Sequence, residues 1–146
     1  ITELVKRAGV SRMTFYRNYF SVMDIVVEHL DERPLGYEGE IAEGSYDMHA
    51  HCFILFEYFK ENERLIRYLI RDGQIHFLED LIDRHVKTTF RPVQAVYGFV
   101  EEHEISTLSG ICKTQIIDWM KTGMKEDPKI RGEKLIAVLD IFNKNI

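Results

Sequence analysis

Apolar residues in this sequence recur at spacings of three and four along nearly its whole length. That is the period of an α-helix with one buried face. Strand-type alternation is scarce, and only 3 prolines occur in 146 residues. A chain patterned this way must bury helix against helix, so the sequence predicts an all-α fold of about nine helices. It is 45% hydrophobic and 12% aromatic, enough to build a core.

Glycine, proline and capping side chains mark the expected helix ends. Leu4, Val5 and Ala8 close a first short helix, which Gly9 breaks with room for positive φ. Ser11 is placed to cap a second helix by accepting a backbone N–H from Met13 or Thr14. That helix reaches about Asn18 and buries Phe15. Ser21 caps a third, with Ile25, Val26 and Leu30 inward, and Pro34 and Gly36 punctuate its end. Residues 34–45 read as a hinge or loop.

"HAHCFILFEYFKEN" follows, and between Cys52 and Phe59 only Glu57 is charged, so this helix is expected to be central. Asn62 is expected to cap the next helix, and Asp72-Gly73 to break the chain. Ile75, Leu78, Ile82 and Val86 form a further stripe. "TTFRPV" at 88–93 is expected to interrupt it, with a new helix resuming over Val93 to Ser106 from Pro92. Leu108, Ile111, Cys112, Ile116, Trp119 and Met120 line one face up to a C-cap at Gly123. Asp127 and Pro128 start the last helix, whose stripe is Leu135, Val138, Leu139 and Phe142. The two final stripes are joined by a short turn and read as an antiparallel hairpin.

Charge is unevenly spread. The net value is −5, yet residues 1–20 carry Lys6, Arg7, Arg12 and Arg17 against Glu3 alone. A basic end on an acidic body directs any polyanionic partner to the N-terminal end. Two short helices joined by a Gly-containing turn make a helix-turn-helix, whose second helix enters the DNA major groove. On "SRMTFYRN" that puts Arg12, Met13 and Thr14 in the first turn. Arg12 suits the O6/N7 edge of guanine, and Met13 and Thr14 offer apolar contact to a thymine methyl. Tyr16 and Arg17 lie within reach of phosphates, and Ser11 favours phosphate at the helix start. A capped amphipathic helix with solvated arginines satisfies the same pattern, and the residues alone leave both readings open.

"ELVKRAGVSRMTFYRNY" also resembles the DNA-binding segment of the TetR family of transcriptional regulators. Leu4 and Val5 match its aliphatic pair, and Ala8, Gly9, Val10 and Ser11 its turn. Thr14, Phe15, Tyr16 and Tyr19 match its recognition helix and the aromatic behind it, and the match continues through Ser21 and Ile25. The resemblance implies that Arg12, Met13 and Thr14 face bases, that Tyr16 and Arg17 lie near the backbone, and that Ser11 and Ser21 belong to the same contact set. One departure stands out. Family members carry Lys-Glu or Lys-Asp after the serine that starts the next helix, and that lysine contacts a phosphate; here the positions are Val22 and Met23. The loss of one phosphate contact is expected to lower the salt slope of binding by about one unit. The helix that precedes this motif in the family has no counterpart after Ile1, so further N-terminal residues are expected.

"SGICKTQIIDWMKTGMKEDP" is similar to a recurring stretch in the helices that pair two subunits of that family. The resemblance implies a homodimer that reads a pseudo-palindromic double-stranded operator. Leu108, Ile111, Ile116, Leu135, Val138, Leu139 and Phe142 are the candidate interface residues. A ligand pocket is the family's usual switch, and Phe53, Phe56, Phe59, His76, Phe77, Gln115 and Trp119 are candidates to line it. Those aromatics suit a small hydrophobic or planar effector.

Other chemistries lack their parts. His49, His51 and Cys52 invite a metal reading, but residues two apart on a helix do not face together. No histidine has a glutamate three residues before it, as di-iron bundles need. There is no Ser-centred elbow, phosphate loop or Gly-rich fingerprint. The chain is expected to be no enzyme and to hold no cofactor or metal. Cys52 and Cys112 fit no zinc spacing and read as reduced buried thiols. No apolar run approaches the roughly 18 residues that span a bilayer, so no membrane partner is expected. The TetR resemblance implies a cytoplasmic, nucleoid-associated bacterial location. The expected organisation is a DNA-binding domain over residues 1–33 and a sensing and dimerisation domain over 34–146. The expected function is a repressor released by an effector. The alternative is a helical co-regulator or adaptor of the same fold that acts mainly through protein contacts.

Overall fold

The computed structural model describes residues 1–31, 47–97 and 101–143, with the backbone alone at residue 48 and at residues 89–97 and 142–143. Among the described residues there are eight helices and no strand, so the fold is all-α. They are α1 (Thr2–Ala8), α2 (Arg12–Asn18), α3 (Val22–Asp31), α4 (Met48–Glu61), α5 (Glu63–Arg71), α6 (Ile75–Tyr97), α7 (Glu102–Lys121) and α8 (Pro128–Asn143). The chain divides into two units, Ile1–Pro34 and Leu35–Ile146. The hinge read over residues 34–45 lies outside the described residues.

In the first unit each break has a local cause. α1 ends where Gly9 turns left-handed at φ 67°. The Val10 N–H donates to the Val5 carbonyl and the Gly9 N–H to the Lys6 carbonyl, a Schellman pair that closes the helix. Ser11 then caps α2, its hydroxyl oxygen accepting from the Thr14 N–H at 3.0 Å. α3 begins with a reciprocal cap. The Ser21 hydroxyl oxygen accepts from the Asp24 N–H, and the Asp24 carboxylate accepts from the Phe20 and Ser21 N–H groups at 2.6 and 2.9 Å.

The second unit packs α8 along α4 and α6 along α7, with α5 meeting α4, α6 and α7. α4 is central, as its near absence of charge requires: Cys52, Leu55, Phe56, Tyr58 and Phe59 are buried. Around them lie Ile66, Leu78, Ile82, Ile116, Trp119, Met120 and Leu135. Gly132 of α8 sets the approach to α4, since a Cβ there would stand 3.3 Å from the Phe53 Cα and N.

α7 and α8 meet across their short turn, and α8 packs mainly along α4. Three local expectations change. The helix from Ile75 is not interrupted at 88–93 but runs to Tyr97 through Pro92. A proline removes only its own donor, so the neighbouring helical bonds can carry the helix across it. The next helix therefore starts at Glu102, where Glu101 and Glu104 form a capping box. Asn62 does not cap α5 with its side chain; its amide donates backward to the Tyr58 carbonyl at 2.9 Å and finishes α4.

The α7–α8 turn is held from several sides. Gly123 and Met124 both adopt positive φ, and the Met124 side chain is fully buried. Arg67 donates to the Gly123 carbonyl at 2.9 Å and Lys60 to the Met124 carbonyl at 2.8 Å. Glu63 pairs with both cations. The Trp119 indole N–H donates to the Glu126 carbonyl at 3.0 Å.

Candidate nucleic-acid interface

Phe15 is the buried residue of α2, and it anchors the helix to its unit. Its ring meets Tyr16 edge-on with centroids 5.2 Å apart and Tyr19 at 5.8 Å. Burying one ring leaves the rest of this short helix facing solvent. Ser11, Arg12, Met13, Thr14, Tyr16 and Arg17 are all exposed. The Thr14 hydroxyl lies 2.9 Å from that of Ser11, and the Asn18 amide donates to the Thr14 carbonyl at 2.8 Å. These bonds fix the first turn, so the side chains beside it project from a preset backbone.

Ser21 is differently placed. It is half-buried, and its hydroxyl donates to Asp24 at 2.9 Å. Asp24 was legible in advance, since serine followed three residues later by an acid is a capping box. Its carboxyl is held below the usual range by the bonds from Ser21 and Phe20. Val22 is exposed where the family's lysine would stand.

Residues 47–140 match the family model described as the transcriptional regulator C-terminal region, of TetR type. The chain belongs to the TetR family of transcriptional regulators. No curated protein and no solved structure matches the chain. Membership makes it a transcriptional regulator, of a family that is generally non-enzymatic and whose general partners are DNA and a second subunit. Among the described residues no helix is long and apolar enough to cross a membrane.

The matched region of this TetR-family chain separates the candidate effector residues. Phe56, Phe59 and Trp119 are fully or almost fully buried, with Phe56 edge-on to Trp119 at 5.1 Å. Phe53, Phe77 and Gln115 are half-buried, whereas His76 is exposed and lies against its neighbour Phe77 at 4.2 Å. The seven candidates thus range from fully buried to exposed. A polar feature that sequence reasoning missed lies deeper. His51 of α4 is 4% exposed and stacks parallel to His85 of α6 with centroids 5.4 Å apart. Burial, with His85 beside it, pushes the His51 pKa down to about 3. The sequence signal was the polar position of His51 within an apolar run; the partner, thirty-four residues on, carried none. Burial likewise pushes the thiols of Cys52 and Cys112 up to about 12.

The candidate interface residues also divide. Ile116, Leu135 and Leu139 are buried within the protomer, and Leu108, Ile111 and Val138 are half-buried. The Phe142 side chain lies outside the described residues. Facing solvent instead are Ile130, Ala137 and Ile141 of α8 and Thr107 and Thr114 of α7.

Proposed function

We propose that this regulator binds DNA sequence-specifically as a homodimer and represses transcription until a small hydrophobic effector releases it. The observation that carries the reading is α2 itself. One buried ring anchors it, and Arg12, Met13, Thr14, Tyr16 and Arg17 are exposed on a helix whose first turn is capped. Arg12 then reads guanine, Met13 and Thr14 meet base edges, and Tyr16, Arg17 and Ser11 lie at the backbone, while the Ser21 N–H and hydroxyl stay on Asp24. Residues 1–33 are the DNA-binding domain, and residues 34–146 sense and dimerise.

The exposed stripe of Ile130, Ala137 and Ile141 supports a two-fold mate on α8, with the half-buried Leu108, Ile111 and Val138 as further candidates. Two modules would then read the halves of a pseudo-palindromic operator in the bacterial cytoplasm. The aromatic interior around Phe56, Phe59 and Trp119 suits an apolar effector, which would have to part packed rings to enter.

A gel shift of the full chain on the intergenic DNA flanking its own gene tests the reading. Binding is expected, and is expected to be lost in Arg12→Ala and Tyr16→Ala. No shift even at low salt overturns it. Val22 in place of lysine, beside an Asp24 carboxylate that already occupies two amides at the start of α3, favours the second reading, an adaptor with weak DNA contact. That reading predicts stable partner capture by variants that hold no DNA.

A further inference from the structure

Phe20 is the most exposed apolar side chain among the described residues, at 95%. It stands in the α2–α3 turn, two residues beyond the end of α2. The turn is not loose. The Phe20 N–H donates to Asp24 at 2.6 Å, and Tyr19 before it packs on Phe15. The ring is therefore held outward by a fixed backbone. Met13 at 76% and Tyr16 at 50% on α2, and Val22 at 41% at the start of α3, are exposed in the same unit. Single exposed hydrophobes need no explanation, but four within ten residues of a segment that also carries Arg12 and Arg17 call for one.

The same turn is poorly built to grip phosphate. Asp24 takes the Phe20 and Ser21 amides, and the Ser21 hydroxyl donates to it as well. What remains facing outward is apolar. A recognition helix that reads bases with its first turn carries its far end toward the rim of the groove. The rim offers deoxyribose faces as well as phosphates, and sugar contact releases no counterion.

We infer that Phe20, with Val22 beside it, packs against deoxyribose at the groove rim and supplies a salt-independent share of DNA affinity. The inference rests on the DNA-binding reading above and goes beyond it. Apolar packing stands here where a charged grip is absent, and the surrounding Arg12 and Arg17 direct the surface to DNA.

The test is the affinity of the full chain for a ~30-bp mixed-sequence duplex, which holds two half-sites about one helical turn apart, measured across a salt series. Phe20→Ala is expected to weaken binding about tenfold at every salt concentration and to leave the slope unchanged, from the loss of part of one ring's burial. Arg17→Ala is expected to reduce the slope by about one unit. Phe20→Lys, placed at the same rim, is expected to steepen it by about one unit. Because the ring is exposed, all three should keep the far-UV spectrum of the parent. Unchanged affinity in Phe20→Ala, or an unchanged slope in Phe20→Lys, overturns the inference and leaves DNA binding standing if Arg17→Ala behaves as stated. Failure of the parent chain to bind any duplex overturns both.

Discussion

Removing the titration of His51 should flatten the acid dependence of stability. His51 is buried and neutral in the folded protein, with its pKa pushed down to about 3, first by burial and then by His85. In the unfolded chain it returns to about 6.5. The unfolded state thus binds the extra proton, so stability is full above about pH 7 and is lost as pH falls through 6.5 toward 3. Between pH 7.5 and 5 the loss comes to about 2 kcal/mol for this one group. Any folded value below about 4 gives the same result at pH 5, because the unfolded state alone sets it. Asp24, Glu63 and Asp83 are also shifted, downward, by hydrogen bonds from Ser21, from Lys60 and from Lys87 respectively. Their unfolded values lie near 4, so their losses fall mostly below pH 5 and leave this window to histidine. Urea unfolding followed through Trp119, the sole tryptophan and fully buried in the same unit, gives the measurement. His51→Phe keeps a ring against His85 and His51→Gln keeps polarity; neither titrates. Both should lose about 2 kcal/mol less than the parent between the two pH values, whatever their absolute stability. Parallel pH profiles for parent and variants would refute the argument that burial holds His51 neutral.

Three further outcomes are expected. Gly9→Ala meets nothing within 4 Å but must adopt φ 67°, so it should destabilise the first unit by about 1 kcal/mol, read as faster amide exchange in α1 and α2. Gly132→Ala places a Cβ 3.3 Å from the α4 backbone at Phe53 and should lower the stability of the second unit by about 1–3 kcal/mol in urea. Val22→Lys restores a cation at an exposed position near the start of α3, and should steepen the salt dependence of DNA binding by about one unit without moving the urea midpoint.

The all-helical fold was legible because two independent signals agreed at most helix ends. Gly9 and Ser11 mark one boundary, and Asp127 and Pro128 another, and there spacing and capping chemistry coincide. Where only one signal was present, the reading failed. "TTFRPV" carries turn-favouring residues but no capping pair, and α6 passes straight through it. The true start at Glu102 was marked by the Glu101/Glu104 box, in a stretch read as the middle of a helix. Asn62 has the right residue type for an N-cap, yet its amide turned back to Tyr58, a choice set by local geometry rather than by residue type.

The candidate sites were legible in proportion to how local they are. Every residue of the α2 surface lies within one short helix, so a single buried Phe15 decides which side chains stay free. The interface and pocket residues depend instead on which helix each stripe meets, and periodicity does not name the partner. Leu135 and Leu139 belong to a stripe that could face a second subunit or the chain's own α4. Gly132, by letting the backbones close, assigns them to α4. Once that face is used, the surface left for a mate on α8 is the opposite one, Ile130, Ala137 and Ile141, spaced by seven and four. That face also carries Lys134, paired with Glu126, between Ile130 and Ala137. For the proposed homodimer, this face rather than the one on α4 is where substitution should separate the subunits. Ala137→Glu puts a charge in the middle of that exposed face and leaves the α4 contact untouched, so sedimentation should show monomers with the parent's helicity. A dimer that survives the charge would place the mate elsewhere.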